Sequence, residues 1–165
     1  LFLFDTGIFR DGIEISSYAQ EDAVFQGVEA QLGFPIFRNG EHLSELSVFA
    51  DYVSAKFDSS GNVPRIPPLR FGAELRHSHL HWQARLRLTQ VQDQSSTASK
   101  ESKTEGHTLL NIYLDYHVTF GDRTGILFLK GSNLLDESIR WHTSLLKDVA
   151  PAPGRAIEIG LRFEF

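Results

Sequence analysis

Between Ile157 and Phe165, apolar residues alternate without a break with small or charged ones: Ile157, Ile159, Leu161, Phe163 and Phe165 on one side, Glu158, Gly160, Arg162 and Glu164 on the other. Successive side chains of a strand point to opposite faces, so this period of two reads as a strand with one apolar and one hydrated face. A tilted strand needs roughly 9–11 residues to cross a bilayer, and alternating segments of about ten residues mark a membrane barrel. Phe165 is expected to be built into a sheet, since a free terminus usually frays into water.

The same alternation recurs upstream. Leu1–Phe4 reads as the end of a strand, followed by a polar connection over about Asp5–Ile15. A long strand is expected from Tyr18 to Phe34, with Val28, Ala30, Leu32 and Phe34 on one face, ended by Pro35. Leu46, Val48, Ala50 and Tyr52 form the next apolar face, blurred by Phe49 and Val53 on the other side. After Asp58–Asn62 and prolines 64, 67 and 68, Leu69, Phe71, Ala73 and Leu75 alternate with Arg70, Gly72, Glu74 and Arg76. A tight turn near Ser78-His79 then leads to Trp82, Ala84, Leu86 and Leu88, and is expected to set Leu75 opposite Trp82 and Glu74 opposite Gln83. Leu110, Ile112, Leu114 and Tyr116 follow, then a turn at Gly121-Asp122, then Leu127 and Leu129. The prediction is an all-β antiparallel meander of about eight strands, with no clear helix and no internal domain boundary.

The expected connections alternate between short (near 35–42, 78–79 and 118–124) and long (near 5–15, 58–67, 92–107 and 136–154), as the turns and loops of outer-membrane barrels do. The carboxyl terminus then lies on the short-turn, periplasmic side, and Phe34, Trp82, Tyr116 and Phe163 gather near one rim as an aromatic girdle. A mean hydropathy of -0.19 looks soluble, but a barrel hides its apolar residues by alternation. A membrane helix needs about 18 consecutive apolar residues, far more than any run here, so helical spans are excluded. The polar face carries Glu29, Asp51, Arg70, Glu74, Arg76, Arg85, Arg87, Asp115, Lys130, Glu158 and Arg162. A soluble barrel core could not bury so many charges cheaply. Salt bridges along a hydrated or plugged lumen are expected instead.

A net charge of -5 argues against a nucleic-acid partner. Cysteine is absent, excluding thiolate metal sites and disulfides; no phosphate-binding glycine loop is present, and no cofactor is expected. The opening Leu-Phe-Leu-Phe carries no signal-peptide pattern and reads as an interrupted strand, so a portion of a longer protein is expected.

Gly131-Ser-Asn-Leu-Leu-Asp-Glu137, Pro153-Gly-Arg155 and a strand ending in Phe165 resemble, in that order, the carboxyl-terminal barrel segment of TonB-dependent outer-membrane receptors. Ala23…Gly27-Val-Glu29 and Pro64-Arg-Ile-Pro67 extend the resemblance over essentially residues 1–165. It implies a wall segment of a barrel of about 22 strands, partnered by outer-membrane lipid, by the rest of the barrel and a plug, and by a TonB complex acting through that plug. It also implies import of a metal ion or metal chelate. Residues 141–155 and Glu101…Thr104-Glu-Gly-His107 look most like the zinc-uptake subgroup, with an iron siderophore or haem as second choice.

His107 and His142 fall in expected long loops near Glu101, Glu105 and Asp148, and imidazole with carboxylate is a reasonable ligand set for zinc. The alternative is that all five are solvated loop residues. His77, His79 and His81 are expected as rim histidines straddling a turn, with His79 off the face of the other two. An enzyme is not expected: His142, Ser144 and Asp148 are the nearest nucleophile set, without a strained nucleophile turn. A small adhesion or structural barrel is the remaining alternative.

Overall fold

The computed structural model describes residues 2–121 and 123–163 and is all-β. Its strands are β1 (Phe2–Arg10), β2 (Ile13–Ala19), β3 (Ala23–Asn39), β4 (His42–Phe57), β5 (Arg70–His79), β6 (Trp82–Val91), β7 (His107–Phe120), β8 (Arg123–Ser132) and β9 (Ala156–Phe163). β3 to β9 form one antiparallel meander in sequence order, while β1 and β2 make a separate hairpin. Leu1, Asp122, Glu164 and Phe165 lie outside the described residues, and with them the expected terminal aromatic and half of the Gly121-Asp122 turn.

The registers join the apolar positions into one continuous face. Leu32 pairs with Val48, Val48 with Ala73, Ala73 with Leu88 and Leu88 with Leu110; further along, Leu114 pairs with Leu129 and Leu129 with Ile159. Val28, Leu32, Val48, Leu75, Leu86, Leu114, Leu127, Ile157, Ile159 and Leu161 are all exposed. So large an uncovered apolar face marks a surface that meets something other than water. Trp82 pairs with Tyr116, and Phe34, Tyr116 and Phe163 are exposed on the same face.

The opposite face holds charges in pairs. Arg70 bridges Asp51 at 2.9 Å, and Glu74 accepts from both Arg76 (3.1 Å) and Arg87 (3.2 Å). Arg87 also lies 4.2 Å over the Phe49 ring, which answers the irregularity at Phe49: it pairs with Gly72, where a Cβ would collide with that ring. Phe128 covers Gly160 in the same way. An aromatic laid over a cross-strand glycine replaces the packing that glycine lacks.

Four details differ from the sequence reading. Asp5–Ile15 is not a loop, because Asp11 and Gly12 both take positive φ and fold it into the β1–β2 hairpin. Tyr18–Phe34 is accordingly two strands, broken at residues 20–22. Pro35 does not end β3, which is an edge strand; a bulge between Pro35 and Phe37 absorbs the missing donor and pairing runs on to Asn39. The β5–β6 turn lies at Leu80-His81, so Leu75 faces Leu86 and Glu74 faces Arg87. This register lies four residues from the expected one. An even displacement keeps every side chain on its face, but it puts His79 with His77 on the apolar side, which the expected turn had denied.

Within the sheet, short turns follow β3, β5 and β7 and long connections follow β4, β6 and β8. The sheet is open among the described residues, with β3 and β9 as its edges.

Candidate functional site

All three long connections meet at one end of the sheet and pack on one another. The β8–β9 connection is pinned where it starts and ends. Asn133 sits at φ 49°, a left-handed conformation that asparagine tolerates. Its amide donates to the Glu137 carbonyl (2.9 Å) and the Pro153 carbonyl (3.4 Å), and its Oδ1 accepts from the Glu137 N–H. Asp136 Oδ1 then accepts the Arg155 N–H at 2.9 Å, and the adjacent Gly154 leaves room for that carboxylate. The Asn-Leu-Leu-Asp and Pro-Gly-Arg segments thus hold each other.

Inside the loop layer lies a small polar core. Glu101 takes backbone N–H donors from Arg65 (2.8 Å) and Ala98 (2.9 Å), tying the β4–β5 and β6–β7 connections together. Lys147, from the third connection, inserts its ammonium 3.2 Å from Glu101 Oε1, 2.7 Å from the Ser102 carbonyl and 3.4 Å from His142 Nδ1. Both charged side chains are almost fully buried. Burial by itself raises the Glu101 carboxyl, but the Ala98 and Arg65 amides and Lys147 outweigh it and leave the group below its ordinary value.

His142 is 3% exposed. Its Nδ1 contacts Thr104 Oγ1 at 2.9 Å, and its Nε2 lies 3.2 Å from Glu101 Oε1, close enough for an ion pair but without hydrogen-bond alignment. Burial lowers the affinity of this ring for a proton, Lys147 lowers it further, and Glu101 and Asp148 offset only part of that. The shift favours the neutral ring, the form that binds metals.

His107, first residue of β7, is 5% exposed; neither ring nitrogen makes an aligned hydrogen bond among the described residues, and the Glu105 backbone interacts with the ring. Trp141 meets it edge-on, with centroids 5.3 Å apart. His107, His142, Glu105 and Arg140 line a common cavity of about 130 Å³, closed by Pro67, Pro68 and Trp141. Buried polar atoms are rarely left unsatisfied without a role.

Of the five residues predicted from sequence, His142 and Glu101 are in contact and His107, His142 and Glu105 share the cavity. Asp148 is exposed and accepts from Ser102 Oγ at 2.6 Å. Among the described residues no group of three or more His, Cys, Asp or Glu side chains is arranged to hold a metal ion. The positive charge beside Glu101 is supplied by Lys147. Sequence reasoning missed Lys147 and Thr104, since a lysine in a polar loop carries no sign that it will be buried.

No protein-family model matches the chain. Among solved structures the chain is similar to one described as "Copper transporter OprC", with a TM-score of 0.77 and 23% sequence identity. The alignment covers 99% of this chain and 26% of that one, so the chain spans about a quarter of the length of the structure it matches. This likeness shows the fold: the chain is an antiparallel wall segment of an outer-membrane-type β-barrel.

Proposed function

We propose that this chain is the carboxyl-terminal wall segment of a TonB-dependent outer-membrane receptor of about 22 strands that imports a metal ion or metal chelate and performs no chemistry of its own. The observation that carries this reading is the separation of faces in the sheet: exposed aliphatic side chains on one face, and on the other charges paired across β4, β5 and β6 and between β8 and β9. Outside lipid and inside a hydrated or plugged lumen satisfy both faces at once. Short turns then face the periplasm and the loop layer faces outward, where ligand arrives. Its partners would be outer-membrane lipid, the remaining strands, a plug, and a TonB complex acting through that plug.

Zinc is the first choice of cargo and an iron siderophore or haem the second. His107, His142 and Glu105 lining one cavity support a borderline metal such as zinc; the similarity to a protein named as a copper transporter supports metal import in general. The test is growth of cells carrying, lacking, or carrying a His107→Ala/His142→Ala version of the intact gene under separate zinc, copper and iron limitation. A defect relieved only by zinc, and shared by the double variant, is expected. Relief by iron or copper alone would replace the cargo, and no defect under any limitation would remove the transport reading.

A further inference from the structure

The opposite end of the sheet carries a second histidine group. His42 opens β4, His77 and His79 close β5, and all three project from the apolar face just beside the short turns. Pairing of Leu43 with Ser78 brings the next residues, His42 and His79, side by side, and their ring centroids are 4.4 Å apart. His42 Nδ1 lies 3.3 Å from His77 Nε2. His77 is held from two further directions: its other nitrogen is 2.7 Å from Ser44 Oγ, and its ring stacks on Trp82 at 4.9 Å.

The geometry points to a two-nitrogen binding site for a borderline divalent metal ion (Zn²⁺, Cu²⁺ or Ni²⁺) formed by His42 Nδ1 and His77 Nε2 at the short-turn rim. Two nitrogens bound tetrahedrally to one ion at about 2.0–2.1 Å are about 3.3–3.4 Å apart, so the observed separation matches a shared ion once both rings rotate toward it. Imidazole suits these metals. A ligating histidine commonly donates its second ring N–H to a fixed acceptor that sets its tautomer, and Ser44 is placed to be that acceptor. With His77 Nδ1–H donating to Ser44, His77 Nε2 presents its lone pair to His42, whose Nδ1–H donates to it in the metal-free state. Metal binding moves the His42 proton from Nδ1 to Nε2 with no net change in protons, and the ion sits to one side of the N···N line, with both rings turned to aim their lone pairs at it. His42 is the first residue of β4, directly after the 40–41 turn, where water at the rim can fill the remaining coordination positions. His79 Nε2 lies 3.6 Å from Glu41 Oε2 and stays outside the pair. The site is far from the loop layer in the register and independent of the transport reading.

The intact gene product carrying this chain, in detergent micelles, would be titrated with Zn²⁺ alone by calorimetry and with Cu²⁺ alone by electron paramagnetic resonance. To isolate this site, the background is His107→Phe/His142→Phe. His77→Phe, which preserves the stack on Trp82, should remove one Zn²⁺ equivalent and the two-imidazole nitrogen splitting; His42→Phe, at an exposed position, should do the same. Ser44→Ala should keep the stoichiometry but weaken binding about tenfold. Unchanged Zn²⁺ stoichiometry and Cu²⁺ spectrum in either histidine variant, with an intact β-sheet circular dichroism spectrum, would overturn the site.

Discussion

Replacing Lys147 by Met removes one charge from the loop core while keeping its length and most of its volume. The ammonium makes three contacts, to Glu101, the Ser102 carbonyl and His142. Breaking a buried ion pair from one side costs about 3–5 kcal/mol, because the other charge stays behind. Here Glu101 retains the Arg65 and Ala98 amides, each a charge-assisted bond that continues to stabilise the carboxylate. The expected cost therefore sits at the lower end, about 3 kcal/mol, or roughly a 150-fold rise in the population of opened loops. The strand ladders do not pass through this core, so the penalty falls on local opening and not on the wall. Hydrogen exchange read by mass spectrometry should show faster exchange over residues 95–106 and 139–150, with β5 and β6 unchanged. Lys147→Met combined with Glu101→Gln should recover little of the loss, since Arg65 and Ala98 donate to different carboxylate oxygens and the amide can accept only one of them. Unchanged loop exchange in Lys147→Met would refute the claim that this ion pair fastens the three connections, and a loss spread evenly into the sheet would refute its locality.

Leu86 lies mid-strand on the outer face and is 42% exposed. Leu86→Arg should lower folding stability in lipid vesicles by about 2–4 kcal/mol, measured by denaturant titration, whereas Arg87→Leu on the inner face should not show that lipid-dependent loss; equal effects would contradict the assignment of faces. Glu21 accepts from the Ser60 and Ser59 hydroxyls and the backbone of both, which holds its carboxyl down at about 2 from an ordinary 4.5. Its folded value is below its unfolded one, so its contribution is complete above about pH 4.5 and is lost as pH falls toward 2. Amide exchange at Ser59 and Ser60, corrected for intrinsic rates, should accelerate over that window in the parent and show no such step in Glu21→Gln; parallel profiles would dismiss the tie.

The wall was legible in the sequence because one rule, alternation, fixes the face of every residue once a strand is recognised. Leu86, Leu114 and Ile159 could be assigned outward without knowing their partners. Register was less legible. Placing the β5–β6 turn at Ser78-His79 keeps every strand residue outside the turn on its face, so the apolar pattern does not penalise the error; matching Glu74 to Arg87 distinguishes the observed pairing. The β1–β2 hairpin was missed because Asp11-Gly12 was absorbed into a polar stretch, although an Asp-Gly pair is a strong hairpin signal. In the loop layer, the sequence nominated His107, His142 and Glu101, but the partners that bury them, Lys147 and Thr104, come from segments whose meeting depends on the fold. No local period encodes a contact such as Lys147 to Glu101, made between two separate connections.

The mutual hold of Asn133, Asp136, Pro153 and Arg155 changes what the loop between them is free to become. With both feet fixed by the clamp, the span from 137 to 152 behaves as an already closed ring. Lengthening such a ring is cheap, since doubling a flexible loop adds only about 0.6 kcal/mol. Leu145 and Leu146 are 80% and 59% exposed, while the neighbouring Lys147 ammonium is buried against Glu101 and Ser102. A foreign peptide grafted between them would be displayed on a tethered arch, while the strands on either side kept their register.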